Sequence, residues 1–449
     1  MTKPLILIFA YHFPPENAIG GARPSRFMKY LSRMGYTCRV YSAANQAGRN
    51  NPNTEYVPDP FVTRPRLSLS WQFERAVRKV FLPSEVGMQW SYCASRAARK
   101  YLRAHPNTCV TVFSTFPPLG SHLAAWQLAQ SEGLPWIADF RDPFPEASDH
   151  ETIHPFRMRF YRWLERVTAR KASAVIANTD AEMVRWQEKF PSLNGKVYSI
   201  WNGFDPEERV EPLPASSRDF RALSHIGELY GGRTATPILE SIERLIASGH
   251  LSSRSICVRL IGPAEPGALP NKEFLDRARD AGWLDLVIHR IPQVEALQIS
   301  RSSDGLLLLQ PQSAAQVPGK LFEYLQIGRP ILAFIQPNSP SERLLAQSGV
   351  PYRCVYPGSP PKAVDDTVAE FFNIPTMAIA ANSWFEEQFN VEKQTRQLDA
   401  IIRSLHEEPL QGANPMFGLP ASAKTGAVKR KIRVSERISK STIDSVEHV

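Results

Sequence analysis

The stretch LILIFAYHFPPENAIGGARPSRFMKYLSRMGYTCRVYSA, Leu5–Ala43, decides the fold. Leu5 to Ala10 is a continuous apolar run, the pattern of a strand covered on both faces. A polar loop follows and carries Gly20-Gly21. Pro24 suits the first turn of a helix that runs to about Met34, where Gly35 ends it. Thr37 to Ser42 then reads as the next strand. Strand, helix and strand in that order make a parallel βαβ unit.

The same grammar recurs along the chain. Val110–Ser114 and Trp136–Phe140 read as strands, Leu119–Ser131 and Phe156–Ala172 as helices. Ala174–Asn178, Ala181–Phe190 and Val197–Ile200 continue the alternation. Asp205–Arg221 interrupts it: DPEERVEPLPASSRDFR has many charges, repeated prolines and no period, and is expected to be a linker. The rhythm restarts at Leu223–Ile226 and passes through Pro237–Ser248, Ile256–Ile261, Lys272–Ala281, Val287–His289, Val294–Ser300 and Gly305–Leu309. Two sequential doubly wound α/β domains with a cleft between them is the architecture implied. The divisions fall at 1–204, a linker at 205–221, 222–383, and final helices at 384–408. Residues 409–449 lack apolar periodicity and are expected to be a basic, disordered tail.

The 449 residues carry 53 Lys+Arg against 44 Asp+Glu, a formal charge of +9. That balance suits polyanions such as nucleic acid, anionic headgroups or phosphorylated ligands. Part of the excess lies in the tail, around Lys424, Lys429, Arg430, Lys431 and Arg433. Five scattered cysteines with no CxxC pair argue against a disulfide framework or a structural zinc site and fit a reducing cytoplasm. The start has one charge before a short apolar run and no small-residue cleavage site, so Leu5–Ala10 reads as a buried strand rather than a signal peptide. No run of eighteen apolar residues offers a membrane span. Arg64–His105 sets Trp71, Phe73 and Phe81 among Arg75, Arg78 and Lys79. It reads either as an amphipathic helix on an anionic membrane face or as helices packed on the first sheet.

Open α/β sheets bind ligands at the carboxyl ends of their strands. The loop after the first strand holds His12 and Gly20-Gly21, beside a helix N-terminus that favours an anion. GxGxxG is absent and no acid ends the next strand, which argues against a nicotinamide or flavin oxidoreductase. Asp139, Arg141 and Asp142 follow another strand; they can hold hydroxyls or tune a proton acceptor, with surface ion pairing as the competing explanation. His122 reads as a capping or core residue.

HIGELYGGR, His225–Arg233, places Gly227 in a second glycine-rich turn and Arg233 as a phosphate ligand. In QVPGKLFEYLQIGRPILAF, Gln316–Phe334, Pro318-Gly319 lead into a short helix whose free N–H groups can meet a phosphate. Lys320 adds a cation, and Glu323 one turn on can accept hydrogen bonds from a sugar diol. A plain helix-surface Lys–Glu pair, worth about 0.2–0.5 kcal/mol, is the alternative.

These segments together resemble a GT-B-fold, retaining nucleotide-sugar glycosyltransferase of the family-4 type, as found in bacterial polysaccharide and glycan assembly. The resemblance spans roughly residues 4–405. It rests on FAYHFPPENAIGGARPSRFMKYL, STFPPLGSHLAA, WIADFRDPF, VIANTDAEM, WNGFDP, HIGELYGGR and VPGKLFEYLQIGRPILA, in that order. It implies two Rossmann-like doubly wound domains and a hexosyltransferase-like transfer needing no metal and no cofactor beyond the nucleotide-sugar co-substrate. On this resemblance Gly20 and Gly21 face the donor diphosphate. Glu323 matches the second acid of the family's Glu-x7-Glu motif and would hold the donor ribose; the first acid falls on Ala315 and is missing. The family's Arg-x4-Lys pair falls on Glu228 and Arg233, so only Arg233 keeps its charge, and Lys320 is expected to stand in for the lost cation. A glycan or lipid-linked acceptor would enter past His12, Asp139, Arg141 and Asp142. A cytoplasmic protein with peripheral contact at the inner membrane face is implied, and the last helices, Trp384–Leu405, would cross back to the first domain.

Two alternatives share the fold: a nucleotide-sugar epimerase, and a non-catalytic partner or scaffold suggested by Ala315 and Glu228. A nucleic-acid protein rests on charge alone, since no recognised module supports it.

Overall fold

Continuous apolar runs form the strands, and one-faced helices cover them. The computed structural model describes residues 5–14, 19–43, 52–63, 72–73, 87–106, 109–142, 155–214, 218–314 and 316–407. Ala315, most of 64–86 and the tail from 408 therefore lie outside the described residues.

The first sheet contains β1 (Leu5–Phe9), β2 (Thr37–Ala43), β3 (Thr54–Val57), β4 (Val110–Phe116), β5 (Trp136–Phe140), β6 (Ala174–Ala177) and β7 (Val197–Ser199). All pair in parallel in the order β3-β2-β1-β4-β5-β6-β7. Every residue of β1 and β4 is buried, which is why neither shows the alternation of a half-exposed strand. Among the described residues the longer helices of this half are α1 (Ala22–Arg33), α2 (Met88–Ala104), α3 (Gly120–Glu132), α4 (Pro155–Lys171) and α5 (Asp180–Lys189), besides a single helical turn at Pro60–Thr63. Leu7, Phe9, Trp90, Trp136, Leu164 and Trp186 share the core on one face.

The second sheet contains β8 (Arg221–Ile226), β9 (Ile256–Ile261), β10 (Leu284–Val287), β11 (Gly305–Gln310), β12 (Ile331–Ile335) and β13 (Tyr352–Val355), ordered β10-β9-β8-β11-β12-β13 and again parallel. Its helices are α6 (Thr236–Ala247), α7 (Lys272–Asp280), α8 (Gln293–Ser302), α9 (Gly319–Ile327), α10 (Pro340–Ser348) and α11 (Pro361–Phe372), followed by α12 (Ser383–Gln388) and α13 (Val391–Ser404). The strand expected at Val287–His289 lies three residues earlier. Trp283 and Leu284 are the buried anchors, while Ile288 is 64% exposed beyond the strand end.

The segment expected as a linker is gripped at its start by one stripe of α1. Arg23 donates to the carbonyls of Ile200 and Trp201 at 2.7 Å each, and Arg26 to that of Gly203 at 2.9 Å. One turn on, Lys29 and Tyr30 reach the Asp205 carboxylate at 2.7 and 2.6 Å, and Arg33 pairs with Glu207. Positions 23, 26, 30 and 33 fall on one face of a 3.6-residue helix. Phe204 then bridges to Asn390, and α13 returns across α1: Leu398, Ile401 and Ile402 join the second core face of the first sheet, and Tyr36 donates to Asp399.

Candidate active site

Strand order reverses between β1 and β4 in one sheet and between β8 and β11 in the other. Loops at such switch points form a crevice outside the strand ends. The loops that follow β1 and β8 carry His12, Gly20, Gly21, Gly227 and Arg233, and the loop after β11 leads into the start of α9, which carries Lys320.

On the second sheet, Pro318 caps α9 with no side-chain bond, leaving the Gly319 and Lys320 amides open at the helix start. Leu321, Phe322 and Leu325 anchor the helix in the core, at about 1.5–3 kcal/mol for each side chain fully buried. Gly328, at φ +71°, ends it. Lys320 folds back over the turn after β8 and donates to the Ile226 carbonyl. Gly227 has to be glycine: its φ is +150°, and a Cβ there would fall on Lys320 Nζ. Arg233 stacks on Tyr230, 4.4 Å from the ring centre. Burial, reinforced by Arg233 and opposed by Glu323, pushes the Lys320 ammonium down to about 8.

The polar groups around these cations are short of partners. His225 faces the Leu307 carbonyl through Nδ1 at 2.9 Å. A carbonyl only accepts, so Nδ1 carries the proton and Nε2 presents a bare lone pair. That Nε2 is buried and unbonded, as are Arg233 Nε, Gln312 Oε1 and both ends of the Gln310 amide. Burial, with Lys320 and Arg233 adding to it, holds His225 neutral, its value lowered to about 3. Unsatisfied buried groups are rare in native proteins and call for a partner such as a ligand or an ordered water. Glu323 is exposed, yet crowding pushes its carboxyl up against the pull of Lys320 and Arg26. Glu228, where the resemblance expects a cation, instead binds Arg290 at 2.8 Å.

The first-sheet side is built differently. Asp139, expected on the acceptor path, is 0% exposed and held by Arg23 at 2.8 Å and by the Thr115 hydroxyl at 2.8 Å. Its carboxylate serves the fold. Arg141 is likewise turned inward: its guanidinium donates to the carbonyls of Phe116, Gly20 and Pro117. A Cβ at Gly20 would come within 2.7 Å of the Arg141 guanidinium, so a larger residue there would push that side chain aside. Gly21 follows directly and caps α1. His12 stands at the end of β1, edge-on to Tyr11 at 5.1 Å. Asp142 is partly exposed, and burial raises its carboxyl against the opposing pull of Arg141 and Arg233.

Two of these interactions join the two sheets. Asp142 of the first feels Arg233 of the second, and Glu323 of the second feels Arg26 of the first. His225, Gln310 and Arg26 went unread as site residues, although the strand-end position of the first two was visible. Asp59 was also missed. Fully buried, it accepts from Tyr11 at 2.9 Å and from the Gly87 amide at 2.8 Å, tying the loop after β1 to the start of α2.

Two parallel Rossmann-like sheets in one chain, with switch-point loops in electrostatic reach of one another, define the GT-B fold. The model of Glycosyltransferase Family 4 matches residues 25–208, which cover most of the first-sheet half. Solved structures are similar over nearly the whole length. HepE of Anabaena, in complex with UDP-glucose, has 13% identity and a TM-score of 0.55, covering 89% of this chain and 100% of that one. The trehalose 6-phosphate synthase of Burkholderia multivorans has 13% identity and a TM-score of 0.57, covering 90% and 97%. The UDP-GlcNAc 2-epimerase of Methanocaldococcus jannaschii has 11% identity and a TM-score of 0.52, covering 89% and 99%. No curated protein matches in sequence.

Proposed function

We propose that the protein is a glycosyltransferase that moves a sugar from a nucleotide-sugar donor to a glycan or lipid-linked acceptor. The observation that carries this reading is the pair Lys320 and Arg233. Lys320 lies against Gly227, Arg233 is in electrostatic reach of Lys320, and neither forms an ion pair among the described residues. Two cations and a helix start without an anion make a seat for a diphosphate. Glu323, one turn on, is placed to accept from a ribose diol.

In the proposed reaction the bond between the sugar's anomeric carbon and the diphosphate oxygen breaks, and its electron pair leaves with the phosphate. Lys320, Arg233 and the α9 amides stabilise that charge. The acceptor hydroxyl oxygen, arriving past His12 and Asp142 on the same face, bonds to the anomeric carbon, and its proton passes to the departing phosphate. The configuration is retained. Closure of the two sheets on the donor would exclude water and favour transfer over hydrolysis.

The test is calorimetric titration of the full chain with UDP, GDP and ADP, followed by incubation of the best binder's sugar conjugates with candidate acceptors. At least one diphosphate should bind, and Lys320→Ala should weaken it. Binding to none would overturn the reading. A sugar whose configuration changes without any acceptor would establish an epimerase instead.

A further inference from the structure

His225 stands near the end of β8, 4% exposed, and the proposed reaction does not use it. Strands β8 and β11 pair with Leu223 opposite Gly305 and Ser224 opposite Leu306, so the next rung sets His225 beside Leu307. The Leu307 carbonyl takes the Nδ1 proton at 2.9 Å, and the sheet itself thereby fixes the tautomer of the ring. Nε2 is left as an acceptor and nothing else, buried and without a hydrogen-bond partner.

That lone pair restricts what can lie against it. A phosphate oxygen is also an acceptor, so a neutral imidazole repels it, and the group that belongs there must bring a proton. The Lys320 ammonium is such a group. A Cβ built on Gly227 would fall on Lys320 Nζ and stand 3.9 Å from His225 Nε2, so the two nitrogens face one space that glycine keeps open. Each also acts on the other through charge, since Lys320 helps to hold the imidazole neutral.

An ammonium has three protons. The Ile226 carbonyl takes one. A turn of the flexible lysine stem sets a second on His225 Nε2, and the third is left for the cleft, beside the open amides of α9. A carboxylate in place of the imidazole would hold Lys320 as well, but it would cancel the charge and compete with an arriving anion. A neutral acceptor supports the ammonium and leaves its charge for the ligand. Among the described residues the other charged groups that reach Lys320 are Arg233, which repels it, and Glu323, which draws it.

We propose that His225 is a positioning residue for Lys320: its Nε2 accepts one ammonium proton, keeps the lysine charged inside the protein and turns its third proton toward the donor diphosphate. The inference rests on the reading of Lys320 as a diphosphate ligand and adds a residue that acts through it. Without the lone pair the ammonium loses a stabilising partner and gives up its proton at a lower pH.

The experiment is calorimetric titration of the full chain with UDP, GDP and ADP between pH 6.5 and 9.5, using wild type, His225→Leu, His225→Phe and His225→Gln. Both apolar variants remove the lone pair, and whichever shows a cooperative thermal melt serves; His225→Gln returns an acceptor. In the apolar variants the pH at which affinity for the best diphosphate falls should move down by about one unit, the shift that a hydrogen bond to a charged group is worth. His225→Gln should restore it. In a Lys320→Ala background the same substitutions should change nothing further. Unchanged binding would overturn the proposal. So would a loss equal at every pH or one that persists with Lys320→Ala, since either would put the ring against the ligand or in the packing alone. Binding to none of the three diphosphates overturns the donor reading instead. The NMR shift of the Lys320 ε-carbon, assigned by its loss in Lys320→Ala and followed with pH in the absence of diphosphate, reads the pair separately. A midpoint that is the same in wild type and in the apolar variant would rule the pairing out.

Discussion

At the edge of the first sheet Arg23 and Asp139 neutralise one another inside the protein. At the edge of the second, Lys320 and Arg233 lie close together with no carboxylate in ion-pair distance of either, among the described residues. Both pairs occupy the carboxyl ends of parallel strands in sheets of like order. The first satisfies itself: Arg23 also covers two carbonyls, and Asp139 has a hydroxyl besides. The second is repulsive in the empty protein, so an anion arriving there gains what folding left unspent. A charged residue at a strand end thus marks a site only when its partner is missing.

The contrast can be broken at the first sheet. Asp139→Asn leaves Arg23 buried without its counter-charge, and a loss of about 3–5 kcal/mol in urea unfolding is expected. A cost under about 1 kcal/mol would mean that the pair does not differ in kind from the second-sheet cations. At the second sheet the effect moves from stability to binding. Lys320→Ala should weaken the best nucleoside diphosphate about 10- to 100-fold, the range for a hydrogen bond to a charged group. Its melting temperature without ligand should stay level or rise.

Titration sharpens the same point. Lys320 sits near 8 in the folded protein against its usual 10.5. Between those pH values the unfolded chain holds a proton that the native protein has shed, so stability should climb across that window. A bound diphosphate favours the ammonium, so affinity should fall as pH passes 8. Calorimetry in buffers of different ionisation enthalpy should show proton uptake there, and Lys320→Ala should abolish it. The smallest effect is at the crossing helix: Tyr36→Phe removes one hydrogen bond to Asp399 and should cost about 1 kcal/mol by thermal melt.

Much of the scaffold was legible because strands buried on both faces cannot hide their apolar runs; LILIF and VTVFSTF announce themselves. Short edge strands do not. Thr54–Val57 has four residues and its two middle ones are half-exposed, so it shows neither an apolar run nor an alternation, and β10 was misplaced because the apolar Val287-Ile288 outweighed the actual anchor at Trp283-Leu284. Gly227, Arg233 and Lys320 were readable from the strand, turn and helix order around them. Their convergence was not: Gly227 and Lys320 are far apart in sequence and meet only once β8 and β11 pair. The pairing of Asp139 with Arg23, 116 residues away, left no local trace either, so the buried Asp139 read as a candidate for chemistry.

The stripe of α1 works as a gauge. Its side chains meet residues 200, 203, 205 and 207 at intervals fixed by the pitch of a helix, which cannot stretch. A changed side chain in that passage disturbs one rung. A residue inserted between Gly203 and Asp205 would displace every rung after it and shift the point where Phe204 meets Asn390. The passage between the sheets therefore has a required length, and drift by substitution is open to it in a way that insertion and deletion are not.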